Sequence, residues 1–248
     1  MIASMDRDQY LASYRRDSRA LLDAIAAAGP DAVVPDCPGW TAADLAWHVA
    51  DVWEWWGIIV RDRVTDPHAV VQTTRPATFD EVFAVAEHWA GELDRVLTDT
   101  DPATPHWTWT DDKSTGFVVR RMAQETAVHR LDAERAAGRT YAIDPELASD
   151  GVDEFLFAFL KWVDPAAAAL AGSVHVHCID VAGEWLVVDD GAGGYVVTRQ
   201  HAKGDAAIRG PANDLLLVLW RRLPLDGVEV IGDRAVAERF LARTNLSG

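Results

Sequence analysis

Cysteine is scarce. Only Cys37 and Cys178 occur in 248 residues, far apart in what read as different structural units. Two such residues make no disulfide framework, so the chain reads as one from a reducing compartment. Long apolar runs are missing as well. No stretch approaches the ~18 uninterrupted apolar residues of a membrane helix. The segment MIASMDRDQYLASYRR has no apolar core of signal-peptide length. The expectation is a cytoplasmic protein with no membrane partner. Positive charge is also short: 23 Lys and Arg stand against 39 Asp and Glu, for a net charge of -16. A surface of that sign repels phosphate backbones, which argues against nucleic acid as a partner. What is present is ordinary for a globular protein, with 49% apolar and 25% charged residues. The length allows one large domain or two modest ones. Oligomeric state leaves no mark in the sequence.

The first two-thirds of the chain read as helices. Tyr10, Leu11, Tyr14, Leu21, Leu22 and Ile25 recur at helical spacing over residues 6–28, and Gly29-Pro30 ends the run. A second helix begins at Thr41, with the capping-box pattern Thr41-x-x-Asp44, and carries the stripe Leu45, Val49, Val52, Trp56, Ile59. A third starts near Thr78 or Asp80 and holds Phe79, Val82, Phe83, Ala86, Trp89 and Leu93. Residues 98–115 read as a long loop. A fourth helix runs from about Phe117 to Ala137 and stops at Gly138. Four amphipathic helices imply a bundle. Beyond it the pattern changes. Residues 145–163 look helical and could bridge two units. SVHVHCIDV alternates as a strand, EWLVVDDGAGGYVVTR reads as two strands around a Gly-rich turn, and PANDLLLVLWRRLP is a helix with Pro211 near its start. VEVIGD and AVAERFLART add a strand and a helix. The expected architecture is α + (α+β): an up-down four-helix bundle over residues 1–142, then a small α+β domain over 143–248 with the order βββ, α, β, α.

One helix face carries chemistry. Stepping along the fourth helix gives Val118, Met122, Glu125, His129, Asp132 and Ala136, a stripe that opens apolar and then turns polar. The second helix gives Leu45, His48, Val52, Trp55 and Ile59, so His48 lies on or beside a buried stripe. Residues four apart on a helix are neighbours, roughly 5–6 Å apart and able to share one metal ion. An imidazole–carboxylate–imidazole set suits zinc or another divalent transition metal, and three protein ligands leave an open position of the catalytic kind. The other reading needs no metal: Glu-x-x-x-His is a common spacing, and Arg121, one turn earlier, can pair a buried Glu125. Asp132, three residues beyond His129, or Asp51, three beyond His48, can orient an imidazole from behind.

Three stretches bear a family resemblance. PGWTAADLAWHVADV, RMAQETAVHRLDAERAAG and GDAAIRGPANDLLLVLWRRLPLDGVEVIGD resemble, in that order, segments of the mycothiol-dependent maleylpyruvate isomerases, a branch of the wider DinB-like superfamily. The resemblance implies a DinB-like metal-binding bundle and a small SCP2-like C-terminal domain. It implies His48, Glu125 and His129 as metal ligands, the same three that the stripes isolate. It also implies a cosubstrate thiol, mycothiol or a similar low-molecular-weight thiol, whose pKa a zinc ion would lower. The thiolate would add to an electrophile. In the isomerase, addition to the cis alkene allows rotation and elimination returns the trans product. The activities implied are isomerase or S-transferase on a small electrophilic substrate; a non-enzymatic ligand-binding protein that kept the fold is the alternative. Where the family has a Leu-Trp-Gly-Arg pattern, this chain has Leu219-Trp220-Arg221-Arg222. Arg222 matches an arginine thought to face the family's interdomain cleft, which makes it the catalytic candidate. The simpler reading is a basic pair offsetting a helix dipole.

Other residues carry less. Cys37 precedes the second helix too far from His48 to share a metal with it. His175 and His177 lie on one side of a strand with no evident third ligand, so a polar sheet face is the expectation. His68, His88, His106 and His201 read as loop or surface residues. DDGAGG lacks the Lys-Ser/Thr of a P-loop and reads as a hairpin turn. Trp47, Trp53, Trp55 and Trp56 spread around one helix, so they cannot all face one core.

Overall fold

In a computed structural model of the chain, residues 5–162 and 168–244 are described. The chain divides into two compact units, Asp6–Ala142 and the chain from Ile143 onward. The first holds four long helices, α1 (Arg7–Ala28), α2 (Ala42–Arg61), α3 (Phe79–Asp99) and α4 (Thr115–Ala136). Three of them start at reciprocal capping boxes, Asp6 with Gln9, Thr41 with Asp44 and Thr78 with Glu81. Each box satisfies two backbone N–H groups that a helix start leaves without partners. Ser114 caps α4 by accepting the Phe117 N–H at 3.3 Å, and Gly138 at φ 69° ends it in the left-handed region where a side chain is costly. Among the described residues no helix is long and apolar enough to cross a membrane.

Helix α1 packs on α4 and α2 on α3 around Leu21, Ile25, Leu45, Val49, Ile59, Leu93, Leu97 and Met122. Polar pins fix the register of α4. Trp53 of α2 is fully buried and donates to Thr126 Oγ1 at 3.2 Å. Asp17 of α1 is fully buried, yet it accepts from Arg16, from Arg130 Nη1 at 2.8 Å and from the Tyr141 hydroxyl at 3.3 Å. The Arg130 guanidinium also lies 3.8 Å over the Tyr141 ring. Burying a lone carboxylate would cost several kcal/mol, so these donors are what permit α1 to close on α4.

The four tryptophans of α2 separate by depth. Trp53 and Trp56 are buried; Trp47 and Trp55 are half-buried. The connection before α4 is held by an aromatic cluster. Trp107 lies 5.3 Å from Trp55, and Trp109 lies 5.3 Å from both Trp56 and Phe117, ring centre to ring centre. His106 is not a surface residue. It is buried beneath this connection with Nε2 3.3 Å from Thr115 Oγ1; a single histidine in a loop has no periodicity to announce such burial.

In the second unit Pro145 opens α5 (Pro145–Glu154), with Asp144 as cap. The helix passes into a π-turn, Phe155–Phe159, and a 3-10 turn, Leu160–Trp162. The last residue of the helical stretch expected over 145–163 lies outside the described residues. Five strands follow: β1 (Ser173–Cys178), β2 (Glu184–Asp189), β3 (Tyr195–Thr198), β4 (Ala206–Gly210) and β5 (Glu229–Gly232), with α6 (Ala212–Leu219) between the last two and α7 (Arg234–Arg243) after them. They form one sheet in the order β3-β2-β1-β4-β5, with β1 and β4 parallel and the other pairs antiparallel. DDGAGG is indeed a tight turn, where Asp190 accepts the Ala192 and Gly194 N–H groups at 2.7 and 2.8 Å.

Strand β4 was not expected, so the element order gains a strand. Its buried positions are Ala206, Ile208 and Gly210. One large apolar residue in five is too weak an alternation to mark a strand, and it is pairing with both β1 and β5 that makes it one. Arg221 explains the departure from glycine in the Leu-Trp-Gly-Arg pattern. It follows α6 at φ 64°, a conformation suited to glycine. Its guanidinium donates to Val218 O at 2.8 Å, Leu219 O at 2.7 Å, Leu241 O and Thr244 Oγ1, closing the carbonyl ends of both α6 and α7.

Two stability predictions follow from these contacts. Alanine at Gly57 would gain about 1 kcal/mol of helix propensity, but its Cβ would meet the Trp89 ring of α3 at 2.6 Å. Overpacking of that kind costs roughly 1–3 kcal/mol, so Gly57→Ala should lower the urea midpoint of the protein; a raised midpoint would refute the close approach. Arg221→Ala and Arg221→Gly lose the same guanidinium, but alanine keeps the left-handed strain, about 1–2 kcal/mol. Arg221→Gly should therefore melt above Arg221→Ala, and the reverse order in calorimetry would contradict the capping account.

Candidate metal centre in the helical bundle

His48 comes from α2, and Glu125 and His129 from α4, one helical turn apart. The structure brings the three together. His48 Nε2 lies 3.1 Å from Glu125 Oε1 and 3.1 Å from His129 Nε2, and His129 Nε2 lies 3.2 Å from the same Oε1. The donor atoms thus make a nearly equilateral triangle. A tetrahedral zinc with bonds of about 2.0–2.1 Å has ligand atoms about 3.3–3.4 Å apart. The triangle is close to one face of that tetrahedron, and imidazole nitrogen with carboxylate oxygen is a donor set that zinc and other divalent transition metals accept. The residues fit the ion.

Further contacts aim each donor. His129 Nδ1 sits 2.9 Å from Asp132 Oδ2, so Nδ1 donates to that carboxylate and Nε2 is the ring nitrogen turned toward the triangle. Asp132 is fully buried, and Cys37 Sγ lies 3.5 Å from the same oxygen. Arg121 binds Glu125 Oε2 and leaves Oε1 to the triangle. Trp40, in the loop before α2, packs against the His48 ring at 4.9 Å between centroids. Asp51 is engaged by Gln72 Nε2 at 2.8 Å instead. Sequence spacing did not single out Trp40 or the Cys37–Asp132 contact, because both arise from the loop folding back across α2 and α4.

Residues 11–134 match the model of the mycothiol maleylpyruvate isomerase N-terminal domain, and residues 146–239 match that of the MDMPI C-terminal domain. The chain belongs to the mycothiol maleylpyruvate isomerase family. Two solved structures resemble it over nearly its whole length, a mycothiol-dependent maleylpyruvate isomerase and a histidine-to-alanine mutant of such an enzyme. Each is 13% identical, covers 91% of this chain and 93% of its own, and superposes with a TM-score of 0.59. At that identity the likeness establishes the fold. No curated protein matches the sequence.

The electrostatics of this family member are those of a coupled set. Burial alone would raise the Glu125 carboxyl, but the Arg121 guanidinium, with His129 and His48, holds it well below the usual carboxylate range. Burial opposes charge on His129, yet Glu125 and Asp132 outweigh it and push the imidazole up to about 9. Arg222 belongs to the other unit. It is half-buried at the end of α6 and donates from Nη1 to Trp220 O at 2.8 Å, a contact of the dipole-offsetting kind. His68 and His88 are exposed. His175, His177 and His201 gather on Glu184 in the second unit.

Because Glu125 is the largest charge raising His129, removing it should release the shift. In metal-free protein the His129 ring signals should titrate near 9, and Glu125→Gln should bring that value down by roughly 1–3 units. A folded value above the ~6.5 of free imidazole contributes stability that is complete below pH ~6.5 and is lost as pH rises through about 9. NMR titration checks the assignment; an unmoved His129 in Glu125→Gln would contradict it.

Proposed function

We propose that this protein is a cytoplasmic enzyme that acts on a small electrophile as an isomerase or S-transferase, using mycothiol or a similar low-molecular-weight thiol as cosubstrate, with a divalent metal, zinc by preference, held by His48, Glu125 and His129. The observation that carries the reading is the triangle of three donors 3.1–3.2 Å apart, each braced from behind. The family membership supplies the thiol and the class of reaction. A divalent ion at the triangle supplies Lewis acidity, which makes thiolate available near neutral pH. The chain's own residues do the rest. Asp132 keeps the His129 proton on Nδ1, so Nε2 stays a donor atom. Arg121 neutralises the second Glu125 oxygen. Trp40 fixes the His48 ring plane. Arg222 is proposed to contact the substrate, as the family pattern implies.

The overall isomerisation balances without a protein nucleophile. The thiolate adds to an activated cis double bond, the resulting single bond rotates, and the same thiolate leaves to restore the alkene in trans form. Cys37 and Cys178 are buried, and burial pushes the Cys178 thiol up to about 12, which keeps Cys178 protonated.

The test is an assay of purified protein with mycothiol against maleylpyruvate and a panel of small electrophiles. Turnover should stop on chelation and return with zinc. His129→Ala should abolish it, and Asp132→Asn should reduce it roughly 10–100-fold. If the wild type binds such ligands without turnover and Glu125→Gln binds them equally well, the protein is a binding module and the enzymatic reading falls.

A further inference from the structure

The second unit gathers four ligand-type side chains away from the bundle. His175 and His177 stand two apart on β1, on the face opposite the buried Val174, Val176 and Cys178. Antiparallel register puts Glu184 of β2 directly across from His177. Glu184 Oε2 lies 3.2 Å from His175 Nε2 and 3.6 Å from His177 Nδ1, and it hydrogen-bonds His201 Nδ1. One donor atom from each of the four falls within 4.8 Å of all the others. The three rings sit 5.4–6.2 Å apart, centre to centre.

The topology explains how His201 arrives. Strand β3 ends at Thr198, beside Leu186 of β2, and β4 begins at Ala206, beside Val174 of β1. In the strand order β3-β2-β1-β4, residues 199–205 therefore cross over β2 and β1. His201 is the residue of this crossover that lands on Glu184, although its side chain is otherwise largely in solvent. A polar sheet face needs no such convergence. One carboxylate oxygen meets three imidazoles, drawn from a strand and a loop.

We propose that His175, His177, Glu184 and His201 bind a second divalent transition cation of the zinc type. Three imidazole nitrogens and one carboxylate oxygen make a complete tetrahedral set. Four protein ligands close the coordination shell, so this site is structural: the ion clamps the 199–205 crossover onto the sheet. Nothing in the bundle site is needed for it.

The experiment uses full-length protein, stripped with chelator, reloaded with zinc, desalted and analysed for bound metal. His201 is exposed and His177 only half-buried, so His201→Ala and His177→Ala should fold. Each should hold one zinc per chain fewer than wild type. His129→Ala, which removes a bundle donor, should leave the second-unit site loaded, and the double variant His129→Ala/His201→Ala should hold none. Trypsin provides a second readout, since Arg199 and Lys203 lie within the crossover. Zinc should slow cleavage there at least tenfold in wild type and in His129→Ala, and not in His201→Ala. Unchanged zinc content in both His177→Ala and His201→Ala, with cleavage indifferent to zinc, overturns the proposal and leaves the bundle reading untouched.

Discussion

Helix α4 buries charge, and every buried charge must find a partner within reach. Taking an ion out of water costs several kcal/mol unless it is paired and hydrogen-bonded. Arg121, Glu125, His129 and Asp132 meet that demand along one helix, each bonded to the next at a spacing of three or four. Arg130 meets it across to α1, through Asp17. His48 completes the set from α2. The Arg130–Asp17 pair ties α4 to α1 and the His48–Glu125 pair ties it to α2, while the pairs along α4 orient the candidate donors. Along α4, pairing the buried charges and orienting the candidate donors are one task.

The charge count of that network says what it would welcome. Arg121, Glu125 and Asp132 formally sum to -1 with both imidazoles neutral. A divalent cation on the triangle changes this to +1. In a partly buried site such a residual charge favours an anionic partner at the open position, and a thiolate supplies it. The same reasoning disfavours a neutral thiol as the resting partner.

The bundle and its candidate donors were legible because helices repeat. His48, Glu125 and His129 each fall on a stripe with a period of 3.6, and the Thr41–Asp44 capping box marks the start of α2. Features that depend on distant chain pairing left no such trace. Strand β4 carries small residues inward and exists because β1 and β5 flank it. His106 and His201 looked alike as loop histidines. One proved to be buried under an aromatic cluster and the other to land on Glu184, and only the folded paths of their loops distinguish them. The π-turn at Phe155–Phe159 likewise interrupts a helix whose apolar run predicts nothing of it.

The two histidine clusters differ in how their geometry is secured. In the bundle, the donors sit on two rigid helices, and Asp132, Arg121 and Trp40 hold the side chains from behind. Little rotamer freedom remains to be lost when a ligand arrives. On the sheet, His175, His177 and Glu184 are set by strand register, but His201 hangs from a crossover with most of its ring in solvent. Ordering that side chain costs entropy that a single hydrogen bond to Glu184 offsets only in part. A tetrahedral ion would add a strong bond where the fold is least constrained. The bundle centre suits chemistry, which needs fixed donors and an open position. The sheet cluster suits a clamp, which needs a closed shell and a loop worth fixing.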